Sequence, residues 1–238
     1  MKKILILSIG LLFLSTDFQA QEGNLLASYM NYFRQMQTDK TTKYEEFDLE
    51  KIEYIGSPYV NSNFTRGNIY LNSKLIVENV PLRYNAFADE MEFKESFNDL
   101  DEDSKALTKS PEVDIEIGNT LYIFVPYQGG IEKGGYFEAL VRGKKYDLFK
   151  KYNKKFTEGR KAQTSMTKDM PAKFTDNPVY YLVSDEGVFY ELPTKKRAFS
   201  KVFLKKENEI DDYIKDNRLD IKDEKDLIKI INYFNTIQ

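Results

Sequence analysis

The chain of 238 residues contains no histidine, no cysteine and no tryptophan. Without the first two there is no Ser-His-Asp triad, cysteine-protease dyad, thiolate zinc site, imidazole-ligated iron or copper, or CxxC redox pair. A disulfide framework is excluded on the same ground. Long hydrophobic runs are scarce too. The longest, Ile4 to Leu14, has eleven residues, where a bilayer-spanning helix needs about 20. No other stretch approaches about 18 apolar residues, so no transmembrane helix is expected in the mature chain. Hydrophobic residues at 41% and charged residues at 31% lie near the globular averages of roughly 45–50% and 25%, which predicts a packed fold rather than disorder. No residue pattern implies a cofactor or a metal.

What is present begins with an address. Lys2 and Lys3 precede the apolar run, and Ser15 to Ala20 follow it, which is the layout of a secretory signal. Cleavage after Ala20 is expected, although Phe18 departs from the small-residue rule. Removing residues 1–20 takes two Lys and one Asp, leaving 33 basic against 37 acidic residues and a charge of -4. Residues 21–48 read as an N-terminal helix and a charged, mobile linker. The helix is marked by Leu25, Leu26, Tyr29, Met30, Phe33 and Met36 at helical spacing.

From residue 49 to 193 the rhythm changes to period two. Short runs such as GNIYLN, KLIVENV, VDIEIG, TLYIFVPY, YFEALV and VYYLV are rich in Tyr, Phe, Val and Ile. They are separated by turn signals at Asn72-Ser73, Gly118-Asn119, Gly129-Gly130 and Glu186-Gly187. Short connections predict antiparallel strands in a meander rather than parallel βαβ winding. Residues 194–238 return to helical spacing. Thr194 is placed to cap a first turn, Ile210, Tyr213 and Ile214 mark a second helix, and Leu227 to Phe234 mark a third, with Asp223 as its N-cap. The expected class is therefore α+β, mainly β: an antiparallel meander, as an open twisted sheet or roll, with a short N-terminal helix and C-terminal helices packed on it.

Charge is segregated. Between Asp89 and Glu116 there are eleven acidic residues and three Lys; between Arg142 and Lys173 there are eleven basic and three acidic. The basic block, with Lys144, Lys145, Lys150, Lys151, Lys154 and Lys155, is the candidate surface for an anionic glycan, a lipid headgroup or an envelope protein. The plainer reading makes both blocks solvated strands and loops that partly neutralise each other. Nucleic acid is a poor partner for an exported chain of pI about 5.4.

Gly56-Ser57-Pro58-Tyr59, Phe64 and Gly67, then Pro81-Leu82-Arg83-Tyr84-Asn85, resemble an uncharacterised family of exported proteins from Bacteroidota. Tyr136-Phe137, Leu140 with Gly143, Lys150-Lys151, Tyr180-Tyr181, Asp226-Leu227 and Tyr233-Phe234-Asn235 extend the resemblance over most of the mature chain. Phe234 stands where a second Tyr is expected. The resemblance brings no activity or catalytic residue with it. It implies a compartment: the periplasm, outer-membrane surface or surroundings of a Gram-negative bacterium.

Individual motifs weigh little. Arg83 would fork a carboxylate or phosphate with Tyr84 stacking on a sugar or ring, or else pair with an acidic neighbour on the next strand. Gln128 to Gly135 is glycine-rich but lacks the Lys-Ser/Thr of a P-loop and reads as a hairpin. Asp101, Asp103 and Glu112 have calcium-loop spacing, spoiled by Lys105 and Ala106. Ser165 and Lys168 match S-x-x-K without its companion motifs. The expectation is a non-catalytic envelope protein with a binding or structural role. The alternative is an envelope or polysaccharide hydrolase working through carboxylates or a Ser-Lys pair.

Overall fold

The computed structural model describes residues 28, 31–44, 47–126, 134–162 and 168–238. The signal segment, Leu25, Leu26, Tyr29, Met30, most of the glycine-rich stretch and Ser165 lie outside the described residues.

Eleven strands form one open sheet. Its first half comprises β1 (Gln37–Thr38), β3 (Thr65–Leu71), β4 (Lys74–Asn85), β5 (Glu90–Phe93), β6 (Lys105–Leu107) and β7 (Val113–Ile117). Its second half comprises β8 (Thr120–Val125), β9 (Gly135–Val141), β10 (Tyr146–Lys151), β13 (Val179–Ser184) and β14 (Phe189–Glu191). The order is β1-β6-β5-β4-β3-β7-β8-β9-β10-β13-β14, antiparallel throughout. Three of the four hairpin signals fall on described residues and hold, with Asn72 and Ser73 both in left-handed backbone, as are Gly118 and Gly187, while Gly129-Gly130 lies outside the described residues. A second sheet joins β11 (Lys154–Thr157), β12 (Ala172–Asp176) and β2 (Tyr54–Ile55), the last pair parallel.

The order departs from a simple meander at β3. Strands β3 to β6 run toward one edge, and β7 then returns to pair with β3 on its other side. Val113 pairs with Leu71, whereas Ala106, through Glu92 and Arg83, sits beyond the level of Thr65. On a flat sheet these ends would be ~28 Å apart, taking about 20 Å along the strands and about 19 Å across them. The seven residues from Ala106 to Val113 reach at most about 25 Å, and a turn from Ser110 to Val113 shortens that. The sheet therefore rolls. Ile69, Leu82, Met91, Phe93 and Ile115 are enclosed by the roll, together with Phe33 and Met36 from helix α1 (31–35) and the position after it.

Beyond β8 the same inner face is covered by the C-terminal segment: α2 (Lys196–Phe199), a 3₁₀ stretch over Ser200–Lys206, α3 (Glu207–Asp216) and α4 (Glu224–Thr236). Ile210 and Ile214 of α3, and Leu227, Ile230, Ile231 and Phe234 of α4, pack on Val141, Leu148 and Leu182. Asp223 caps α4, accepting from the Asp226 N–H at 3.1 Å. Thr194 caps nothing: Lys195 stands at the N-cap of α2 without a side-chain bond.

The charged stretch after α1, expected as a linker, is docked. Thr38 pairs with Ala106, Thr41 bonds Glu90, and the Phe47 ring stacks on Phe156 at 4.0 Å. Tyr44 and Phe47 also pack on Phe87, which in turn packs on Phe174 of the small sheet.

Candidate functional site

The outer face of the second half-sheet is apolar. Register places Ile123 beside Phe137, Phe149 beside Tyr181, and Val183 beside Phe189. Phe137, Phe149, Val183 and their neighbours form a third hydrophobic cluster on the side away from the helices. At one end of this face the β9–β10 turn, Arg142 to Lys145, overhangs a cleft of about 400 Å³. Its floor is Ile123, Val125, Phe149, Val183 and Phe189, and its rim carries Arg142, Lys144, Lys145, Asp147 and Asp185.

The rim is held from the opposite side of the sheet. Asn235 of α4 accepts from the N–H groups of Tyr146 (3.0 Å) and Lys145 (3.3 Å) and donates to the Tyr146 carbonyl at 2.8 Å. Gly143 is obligatory because a Cβ there would meet the Tyr146 carbonyl oxygen at 2.2 Å and the Asn235 amide at 2.3 Å. Asp147 accepts from the Gly143 N–H at 2.9 Å and pairs with Arg142 at 3.4 Å. Lys144 and Lys145 stay exposed and make no ion pair among the described residues. Asp114, opposite Ile123, has its carboxyl pushed up by burial, against the pull of the Arg142 charge.

Lys150, Lys151 and Lys154 of the basic block are occupied. Lys150 pairs with Glu224 of α4 at 2.6 Å and approaches Glu138 at 3.6 Å. Tyr152 donates to Glu138 at 2.6 Å and Tyr180 to Glu224 at 3.0 Å. Both phenols are raised, first by burial and then by these bonds. Lys151 is buried, donates to the Gly134 carbonyl at 2.8 Å and lies 4.7 Å from the centre of the Phe137 ring. Lys154 pairs with Asp176, while Lys155 is exposed on β11.

Arg83 and Tyr84 lie in the interior. Arg83, 5% exposed, donates to Glu92 at 2.6 and 3.2 Å, to the Ser62 carbonyl at 3.0 Å and to Asp101 at 3.1 Å. Its guanidinium is sandwiched by Tyr59 (3.8 Å) and Phe64 (4.1 Å). Tyr84 packs against Tyr122, Tyr136 and Tyr152 and donates to Asp89. Burial opposes ionisation of Asp101, but the Lys94 hydrogen bond and the Arg83 charge outweigh it and hold the carboxyl below its usual range. Asp101 is thereby committed to the chain's own cations, and among the described residues no three acidic side chains gather as metal ligands would.

Part of the acidic block is spent locally as well. Asp89 pairs with Lys109, Glu92 with Arg83, and Glu116 accepts from Asn68 and Tyr70. Of the sequence candidates, Lys144 and Lys145 are thus brought together over a cleft. The apolar floor was not among those candidates, because β8, β10, β13 and β14 each supply only one or two of its side chains. Comparisons with protein-family models, with curated proteins and with solved structures each returned no match.

Proposed function

We propose that this chain is an exported, non-catalytic binding protein of the cell envelope that holds a single-chain anionic amphiphile in the cleft under the β9–β10 turn. The observation that carries the reading is the pairing of unpartnered Lys144 and Lys145 on the rim with an apolar floor of Ile123, Val125, Phe149, Val183 and Phe189. Cationic donors at the mouth suit a carboxylate or phosphate head, and the floor suits an acyl chain. A sugar polyanion would use the rim and leave the floor idle. Export is supported by Lys2, Lys3 and the apolar run that follows.

The test is titration of the full mature chain with dodecanoate, with dodecanol and with dextran sulfate. Saturable dodecanoate binding that weakens in Lys144→Glu/Lys145→Glu and in Phe189→Ser, with dodecanol clearly weaker, is the expected result. Equal binding of dextran sulfate would replace the amphiphile by a glycan. No binding of any of the three would end the proposal.

A further inference from the structure

A second cavity, of about 260 Å³, opens at the seam between the two sheets, on the inner side of β10 and away from the cleft just described. Its walls come from three places. Lys150 and Tyr152 stand at the end of β10, Asn153 and Lys154 lead into β11, and Asp176 and Pro178 form the β12–β13 corner, with Val60 closing one side. The corner is fixed by the Asn177 N–H donating to the Asn153 carbonyl at 2.8 Å.

The chemistry of these walls is mixed and already close to neutral. Lys150 is answered by Glu224 and Glu138, and Lys154 by Asp176. An added anion would confront three carboxylates, and an added cation two ammonium groups. What the pairing leaves over is hydrogen-bonding capacity. Each ammonium has three donors, and neither uses all of them on its carboxylate. The Asn153 side-chain amide makes no hydrogen bond to any described residue, leaving two donors and one acceptor for the cavity. Val60 and Pro178 add a small apolar surface. Donors and acceptors in alternation beside an apolar patch complement a ring that carries hydroxyls on its edge and C–H groups on its face. The volume equals that of roughly nine waters at about 30 Å³ each, which is room for one sugar ring.

We infer that this cavity binds one neutral sugar residue, with Asn153, Asp176, Lys150 and Lys154 hydrogen-bonding its hydroxyls and Val60 and Pro178 facing its C–H surface. The residue is either a free monosaccharide or the terminal unit of a glycan. This site is independent of the amphiphile reading, since it shares no residue with the cleft.

The experiment is saturation-transfer NMR on the full mature chain with the methyl glycosides of glucose, galactose, mannose and N-acetylglucosamine, and with oligosaccharides ending in each. Transfer to at least one is expected. Asn153→Ala, whose amide holds nothing else in place, should weaken that sugar by about threefold to tenfold, the range of one neutral hydrogen bond, with an unchanged melting temperature. Asp176→Asn should weaken it as well, and its fold is checked by circular dichroism because Lys154 loses a charged partner. Transfer to the oligosaccharides alone identifies a glycan terminus; transfer to the methyl glycosides identifies a free sugar. No transfer from any of them, or transfer undiminished in Asn153→Ala, overturns the assignment.

Discussion

At Arg83 a permanently charged group is carried into the interior by the strand that also carries Tyr84. Four of its five N–H donors are used within the chain, and both faces of the guanidinium are covered by rings. Glu92 is only 1% exposed, and removing it leaves the buried guanidinium facing only the exposed carboxylate of Asp101. Glu92→Leu should therefore cost about 3–5 kcal/mol in urea unfolding, while Arg83→Met/Glu92→Leu together should recover most of it. A loss below about 1 kcal/mol in the single variant would show that the pair is wetter than its burial implies. The side chains at positions 83 and 92 are close because β4 and β5 pair them directly across the strands. That pairing is what the sequence withheld: β4 runs through Pro81 as one strand of twelve residues, with Asn79 in left-handed backbone and the register shifting between β3 and β4.

Helix α4 does two jobs at the scale of elements. Its apolar stripe fills the core, and Asn235 near its end grips the turn that bears Lys144 and Lys145. Asn235→Ala removes an acceptor shared by two N–H groups and a donor to the Tyr146 carbonyl. It should lower stability by about 1–3 kcal/mol and weaken dodecanoate binding without touching a lysine. Calorimetry and the same titration read both effects, and unchanged binding with lowered stability would confine Asn235 to packing. Strands with alternating apolar residues were legible in the sequence, as were α3, α4 and the Asp223 cap. Strands β11 and β12 were not, because KKFT and AKFTD each offer one aromatic among charged and small residues, and a single apolar position has no period. Their pairing depends on Phe156 and Phe174 meeting Phe47 and Phe87 from far upstream. The basic block was legible as charge, but not which lysines remain unpaired, since their partners Glu224 and Asp176 belong to other elements.

For the whole molecule, the absence of tryptophan leaves tyrosine as the principal chromophore, and a tier of tyrosines lies inside. Tyr84, Tyr122, Tyr136 and Tyr152 are all raised, chiefly by burial of the phenol. A neutral acid whose folded pKa lies above its unfolded value of about 10 stabilises the fold fully below that pH, and the contribution is lost as pH rises toward the folded value. In an alkaline titration followed by phenolate absorbance, the inner group should therefore ionise cooperatively, together with the loss of circular dichroism. A single smooth titration with the fold intact would mean the inner phenols reach solvent.

The small sheet adds a constraint on timing. Its parallel pairing sets Tyr54 against Ala172, so two of its three strands cannot meet until three-quarters of the polypeptide exists. Contacts so distant along the chain close slowly. A polypeptide that cannot finish its fold early remains an open thread for longer, which is the form that the export proposed above would require.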